Sequence, residues 1–232
     1  LSTGISVTTN NGPLFEDSFQ RLDSEVVGNG WIEIESSSLV KIKNGKLVFD
    51  AFDDSFRPLI YHTYLSQSSG IITWTFDFNF QRTGSEGMYS FWMQLGQGNL
   101  MNDTSPMEQG VAVNLKWGGP NNGLTTHEGL SYVVDGLVTQ VATVSGGNER
   151  ITVSLDLDSN TYNVSIGGQE VTNIPLENNV SIDTVRFFAH NLNSNNFAYR
   201  EIDNVVIDSG GNDSGIDKTP PFPPNGLGII GQ

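Results

Sequence analysis

From Ile71 to Phe80, and on both sides of a polar loop between Gly87 and Gly118, apolar residues fall at every second position. Only an extended chain turns that spacing into a one-sided apolar face. In IITWTFDFNF, Ile72, Trp74, Phe76, Phe78 and Phe80 share one side, and Thr73, Thr75, Asp77 and Asn79 the other. In GMYSFWMQLG, Tyr89, Phe91, Met93 and Leu95 are set against Ser90, Trp92 and Gln94. In GVAVNLKWGG, Val111, Val113, Leu115 and Trp117 are set against Ala112, Asn114 and Lys116. The apolar sets belong in a core. The opposite sets leave an indole, two amides and an amine on mid-strand positions of an outer face.

The rest of the chain has the same character. LFEDSF (14–19) and WIEIES (31–36) are short strands, and LVKIKNGKLVFDAF (39–52) is a hairpin around Asn44-Gly45. RPLIYHTYL (57–65) is a further strand, and LSYVVDGLVTQVATV (130–144) a second hairpin around Asp135-Gly136. RITVSLDLD, TYNVSIGG, QEVTNIPL, VSIDTVRFFAHNL and FAYREIDNVVID complete the set. No longer segment carries a helical period with caps. About a dozen short strands separated by Gly and Asn turns predict an all-β fold, a β-jelly roll or two-sheet antiparallel sandwich. Residues 1–13 are expected to form an N-terminal arm, residues 14–208 the folded domain, and the Gly/Pro-rich stretch 209–232 a linker to something further.

Composition removes several classes of function. The chain has no cysteine, so no disulfide framework, thiolate metal site or thiol nucleophile. Its net charge is -15, from 26 acidic and 11 basic residues, which argues against nucleic acid and anionic membrane as partners. No apolar run is long enough to cross a membrane as a helix. The opening LSTGISVTTNNG has the look of a mature or trimmed start. Composition resembles that of extracellular proteins of marine bacteria, and a secreted monomer is expected.

In so acidic a chain a mid-strand lysine is informative. Trp92, Gln94, Asn114 and Lys116 share one face. In VRFFAHN, inward Val185, Phe187 and Ala189 leave Arg186, Phe188 and His190 outward, with Asn191 next in line. Arg57 and Tyr61 have one parity on their strand and His62 and Tyr64 the other, so one pair can join the face. The parity of Tyr199 and Arg200 is open. Aromatic rings beside amides and cations suit an acidic polysaccharide. They also supply the groups a polysaccharide lyase needs. β-Elimination requires the uronate carboxylate to be neutralised, a base to take the C5 proton, and an acid to protonate the leaving 4-oxygen. Lys116, Tyr199, Arg57, Gln94 and His190 provide those types as catalytic candidates. Trp92, Asn114, His62, Asn191 and Arg200 are candidates for holding the sugar. His127, in a Gly/Thr-rich loop, is set aside. Glycoside hydrolysis needs two carboxylates flanking the bond. The Glu-x-Asp-x-x-Glu strand of laminarinase-type sandwiches is absent, and Glu33/Glu35 and Asp156/Asp158 alternate with core residues or sit at turns.

Through FEDSFQR…VGNGW, YSFWMQLG and IDNVVI, the domain resembles secreted concanavalin-like jelly-roll polysaccharide lyases of marine bacteria, ulvan lyases most of all. It is also similar to calcium-binding jelly-roll carbohydrate-binding modules. The first resemblance implies endolytic β-elimination of a sulfated, uronate-containing algal polysaccharide. The second implies a non-catalytic module of a larger secreted enzyme. Both imply a structural Ca²⁺ between the early and late strands, held here by Glu16, Asp17 and Asp203, since calcium seeks hard oxygen ligands. The alginate-lyase strands Arg-Glu-Leu-Arg, Gln-Ile-His and Tyr-Phe-Lys-Ala-Gly-Val-Tyr-Asn-Gln are missing, which disfavours alginate.

Overall fold

Tight turns and alternating arms give a chain of strands. A computed structural model describes residues 12–34, 39–51, 58–83, 89–101, 109–118, 129–143, 147–191 and 197–210. In chain order the strands are β1 (Phe15–Asp17), β2 (Ile32–Ile34), β3 (Val40–Lys43), β4 (Lys46–Ala51), β5 (Leu59–Gln67), β6 (Ile71–Thr83), β7 (Tyr89–Gly96) and β8 (Val111–Trp117). They continue as β9 (Gly129–Val134), β10 (Leu137–Thr143), β11 (Gly147–Asp156), β12 (Thr161–Ile166), β13 (Gln169–Pro175), β14 (Ile182–Asn191) and β15 (Phe197–Ser209). The one helical element among the described residues is a 3-10 turn, Gly98–Leu100. The hairpins sit where expected. Asn44 and Gly45 (φ 54° and 70°) join β3 to β4, and Asp135 and Gly136 (φ 51° and 74°) join β9 to β10. Paired positive φ values match the twist of the flanking strands.

The strands form two antiparallel sheets. One runs β13-β12-β11-β6-β15-β4-β3, with β1 also paired to β15; the other runs β10-β9-β8-β7-β14-β5-β2. The inward residues of both make one apolar core. Trp74, Phe76 and Phe78 of β6 face Phe91 of β7 and Phe187 of β14, with ring centroids 5.4 Å apart for Phe78–Phe91 and 5.6 Å for Phe76–Phe187. The all-β, two-sheet antiparallel sandwich expected from the alternation is the fold observed.

Two bulges alter the simple alternation. Between β7 and β8 the register steps from Leu95↔Val113 to Gly96↔Val111, so Ala112 is the extra residue. It joins the core, although strict alternation places it on the outer face. The bulge needs a glycine: a Cβ on Gly96 would lie 1.9 Å from the Gly110 carbonyl oxygen, a backbone atom already accepting from Gln97 N–H at 2.8 Å. Gly96→Ala is therefore expected to lower stability by about 2–3 kcal/mol, the range for forced overpacking, read as a lower urea midpoint. An unchanged midpoint would mean the two turns separate freely.

The second bulge lies in β15, between the Asp203↔Asp77 and Val206↔Thr75 pairs, with Asn204 left-handed at φ 51°. It keeps both Ile202 and Val205 in the core. It also fixes the parity before it: Arg200 points inward with Ile202, buried, its guanidinium 5.6 Å from the centre of the Phe91 ring.

Candidate functional site on the outer face of the seven-stranded sheet

Because β5, β14, β7 and β8 are neighbours, their outward residues fall into rows across the strands. One row reads Tyr61, Arg186, Gln94, Asn114. The next reads Leu59, Phe188, Trp92, Lys116 and, on β9, Ser131. The first row is a hydrogen-bonded ladder. Arg186 Nε donates to Gln94 Oε1 at 2.7 Å, and Gln94 Nε2 donates to Asn114 Oδ1 at 2.8 Å. Arg186 Nη1 also reaches the carbonyl of Met101, just past the 3-10 turn, at 3.4 Å. The second row is aromatic and cationic. Trp92 stacks on Phe188 with planes 10° apart, and Lys116 Nζ stands 5.6 Å from the Trp92 ring centre. The Arg186 guanidinium lies 5.2 Å from the Phe188 ring.

This face is shielded from water. Gln94, Asn114 and Lys116 are 0% exposed, Arg186 1% and Trp92 4%. Leu59, Trp92, Val133 and Phe188 form a second apolar cluster, with Tyr61 and Val138 packed against it. Burial disfavours the charged amine and lowers the proton affinity of Lys116 below the usual lysine range. The Trp92 indole nitrogen is buried without a hydrogen-bond partner.

The fold brings together Trp92, Gln94, Asn114 and Lys116, as parity predicts, and adds Arg186, whose outward position the sequence gives but whose role it does not. Tyr61 answers the open question on β5. His62 is a correction: with Tyr61 on the outer row, alternation turns His62 to the other side of the strand, opposite core residue Val185, where it stacks on Phe15 at 4.0 Å. Burial lowers its proton affinity, against the pull of Asp17. Arg200 is a second correction, since it enters the inter-sheet core rather than a sugar-binding face. Tyr199, next to it on β15, is opposite Gln81 and Asp50 in the eight-stranded sheet, so sheet topology separates it from Lys116. His190 and Asn191 end β14, opposite Ser90 and Tyr89. The side chains of Tyr199, His190 and Asn191, and all of Arg57 and His127, lie outside the described residues.

The three residues expected to hold calcium do not form one set. Asp17 is buried and already surrounded by donors. Its oxygens accept from Phe19 N–H (2.8 Å), Arg21 Nη1 and Nη2 (2.8 and 3.1 Å), Asn29 Nδ2 (3.1 Å) and Trp31 Nε1 (2.9 Å). Burial pushes its carboxyl pKa up, but these donors outweigh it and hold the pKa below the ordinary carboxylate value. A guanidinium thus supplies the charge that calcium was expected to bring. Glu16 is exposed. Asp203 has Asp77, Lys46 and Glu201 as its charged neighbours. Among the described residues no group of three or more His, Cys, Asp or Glu is arranged to hold a metal. These residues do not fit the ion.

Asp203 instead belongs to a charged patch on the outer face of the eight-stranded sheet. Arg150 grips Asp77 through two bonds of 2.8 and 3.0 Å, Asn204 Nδ2 donates to Asp77 at 2.7 Å, and Lys46 and Asn79 donate to Glu201 at 2.6 and 2.8 Å. Asp203 is left among like charges. Burial first, then Asp77 and Glu201, raises its pKa to about 6, against the Asn204 N–H and Lys46. A raised carboxyl favours the protonated fold, so its stability contribution is complete below the unfolded pKa near 4 and is lost as pH rises through about 6. Asp203→Asn is expected to stabilise the protein by about 1–2 kcal/mol at pH ~7 and to change little at pH ~4. Equal urea midpoints at both values would show that Asp203 titrates normally.

Neither a protein-family model nor a curated protein matches this sequence. Solved structures do. A sialidase aligns over 86% of this chain with a TM-score of 0.64 at 13% identity, and this chain covers 19% of it. The carbohydrate-recognition domain of Emp46p in a potassium-bound form aligns over 88% of this chain and 99% of its own, with a TM-score of 0.58 at 12% identity. The metal-free lectin I-B4 from Griffonia simplicifolia aligns over 85% of this chain and 100% of its own, with a TM-score of 0.53 at 16% identity. The likeness is one of fold: the sandwich is the jelly roll of lectins and carbohydrate-recognition domains.

Proposed function

We propose that this domain binds carbohydrate on the outer face of its seven-stranded sheet, as a module of a secreted protein acting on an acidic polysaccharide. The observation that carries this reading is the Arg186–Gln94–Asn114 ladder lying directly beside the Phe188–Trp92–Lys116 row. Flat aromatic surface packs against sugar rings, while amides and cations in fixed positions read hydroxyl and carboxylate oxygens. Lys116 and Arg186 bring two positive charges to one face of a chain whose net charge is -15. The fold likeness to lectins and carbohydrate-recognition domains supports the same class of ligand. Calorimetric titration with glucuronan, ulvan and alginate oligosaccharides, with a neutral β-glucan beside them, tests it. Asn114→Ala is expected to weaken binding about 10-fold, the cost of one charge-assisted or well-placed hydrogen bond in a desolvated site, with an unchanged circular dichroism spectrum. Undiminished binding in this variant would move the site elsewhere.

A second reading rests on Lys116 itself. An amine whose proton affinity is depressed by burial is suited to act as a base. In β-elimination Lys116 would take the C5 proton of a uronate as the C4–O bond breaks and the C4=C5 double bond forms. The Arg186–Gln94–Asn114 ladder would neutralise the carboxylate, and the leaving oxygen would take a proton. Tyr61, beside Arg186, is the phenol that the described part of the fold brings to this face. Absorbance near 235 nm, growing with ulvan or glucuronan and lost in Lys116→Ala, is the expected result for an ulvan-type lyase. Retained binding without absorbance on any uronan leaves the binding module.

A further inference from the structure

We infer that the β3–β4 turn is a site of spontaneous covalent modification, in which the backbone nitrogen of Gly45 attacks the side-chain amide of Asn44. The nitrogen bonds to Cγ of Asn44, ammonia leaves, and a succinimide ring closes. Water then opens the ring at one carbonyl or the other, giving aspartate or isoaspartate. Ammonia is lost and water is taken up, with no change of oxidation state. The step needs a reachable amide carbon, an unshielded backbone nitrogen, and a peptide free to turn one onto the other. A following glycine meets the last two needs, because it has no side chain to shield its nitrogen or restrict its φ.

Asn11, Asn29, Asn44, Asn122 and Asn225 each precede a glycine. Asn11, Asn122 and Asn225 lie outside the described residues. Asn29 and Asn44 form a matched pair: both are exposed, and both have a left-handed backbone, φ 53° and 54°. They differ in what holds the reacting groups. Asn29 Nδ2 donates to the buried Asp17 carboxylate at 3.1 Å. Gly30 lies so close to His62 that a Cβ there would be 2.8 Å from its Nε2. Turning the Asn29–Gly30 peptide breaks the bond to Asp17 and disturbs a ring stacked on Phe15 and set edge-on to Trp31. At the β3–β4 turn the Asn44 N–H donates to Asp23 Oδ1 at 2.8 Å, and Gln20 Nε2 donates to the Gly45 carbonyl at 3.1 Å, both at the exposed surface. Neither bond engages the Asn44 carboxamide or the Gly45 N–H. That N–H also stands outside the strand ladder, which ends at the Lys43↔Lys46 pair. The bond to Asp23 survives rotation of the Asn44–Gly45 peptide, so only the exposed Gln20 bond opposes it. Isoaspartate adds a methylene to the main chain of a two-residue turn, and either product places a new negative charge beside Asp23.

The test ages the full chain at mildly alkaline pH and maps its peptides by mass, with isoaspartate methyltransferase labelling to separate the two acids. In the folded protein Asn44 is expected to convert about 10-fold or more faster than Asn29, and in urea, where the tethers are gone, at a similar rate. Isoaspartate is expected beside aspartate at position 44. Asn44→Gln lengthens the side chain, disfavours ring closure and should remove the label from this peptide. Equal conversion of Asn29 and Asn44 in the folded chain would overturn the inference. So would the same ratio persisting in urea, which would place the cause in neighbouring residues rather than in the turn. Aspartate as the sole product would overturn it as well, since water would then attack the amide directly and Gly45 would take no part.

Discussion

Asp17→Ala is expected to destabilise the domain by about 3–5 kcal/mol, the range seen when one partner of a buried ion pair is removed. The carboxylate accepts five hydrogen bonds and is the meeting point of three separate stretches of chain: β1 itself, the turn to Phe19 and Arg21, and the Asn29–Trp31 segment. Removing it strands the Trp31 indole N–H in a buried place. It also leaves the Arg21 guanidinium without its counter-charge, though the guanidinium is 30% exposed and water recovers part of that loss. The urea midpoint should fall with the m-value unchanged. The loss should be the same with calcium or with a chelator in the buffer, because Arg21 rather than a cation balances the charge. The pH dependence follows from the depressed pKa. A carboxylate held below its unfolded value contributes stability that is fully present above the unfolded pKa and disappears as pH falls through the folded one. The difference between parent and Asp17→Asn should therefore shrink below pH ~4. A destabilisation that appears only in the presence of calcium would restore the metal reading.

What could be read from the sequence here was local. Alternation over Ile72–Phe78 and Phe91–Leu95 names the core faces of β6 and β7, because a strand has only two sides and one of them must be dry. Asn44-Gly45 and Asp135-Gly136 announce their hairpins through residues that tolerate positive φ. Trp92, Gln94, Asn114 and Lys116 were legible as a group for the same reason as the core. Strand order was not. Nothing local in FAYREIDNVVID says that it inserts between β6 and β4, which takes Tyr199 out of the sheet that carries Lys116. Bulges were equally hidden, since one extra residue at Ala112 or Asn204 leaves composition unchanged yet reverses every parity beyond it. Ile202 and Val205 have opposite parities in the sequence, and only the bulge, which puts both in the core, sets Arg200 on the inward side. At Asp17 the pattern shows only carboxylates at two strand ends, which suit a calcium ion; Arg21, four residues away and paired with Asp17, lies in a turn whose path the pattern does not give.

Phe187→Ala is expected to remove about 3–5 kcal/mol, the range for truncating a fully packed aromatic side chain, with Phe187→Leu costing markedly less. Phe187 is 0% exposed and is the hub of the aromatic core. Its ring centre lies 6.0 Å from Trp31, 6.0 Å from Trp74, 5.6 Å from Phe76 and 6.4 Å from Phe91, so it links both sheets and the N-terminal segment. Deleting it opens a cavity bounded by large rings from three directions, which cannot all move inward at once. Its sequence neighbours make the loss functional as well as structural. Arg186 and Phe188, one residue to either side, carry the two rows of the candidate site on the opposite face of the same strand. A strand that is no longer anchored on its core side holds those rows less firmly, so glycan affinity should fall in Phe187→Ala at temperatures where the protein is still folded. Phe187→Leu should bind nearly as the parent does. Urea melts of the two variants, with binding measured well below each transition, check both halves. If Phe187→Ala weakens the fold but leaves affinity intact, the ladder is held by its own hydrogen bonds and needs no support from the core behind it.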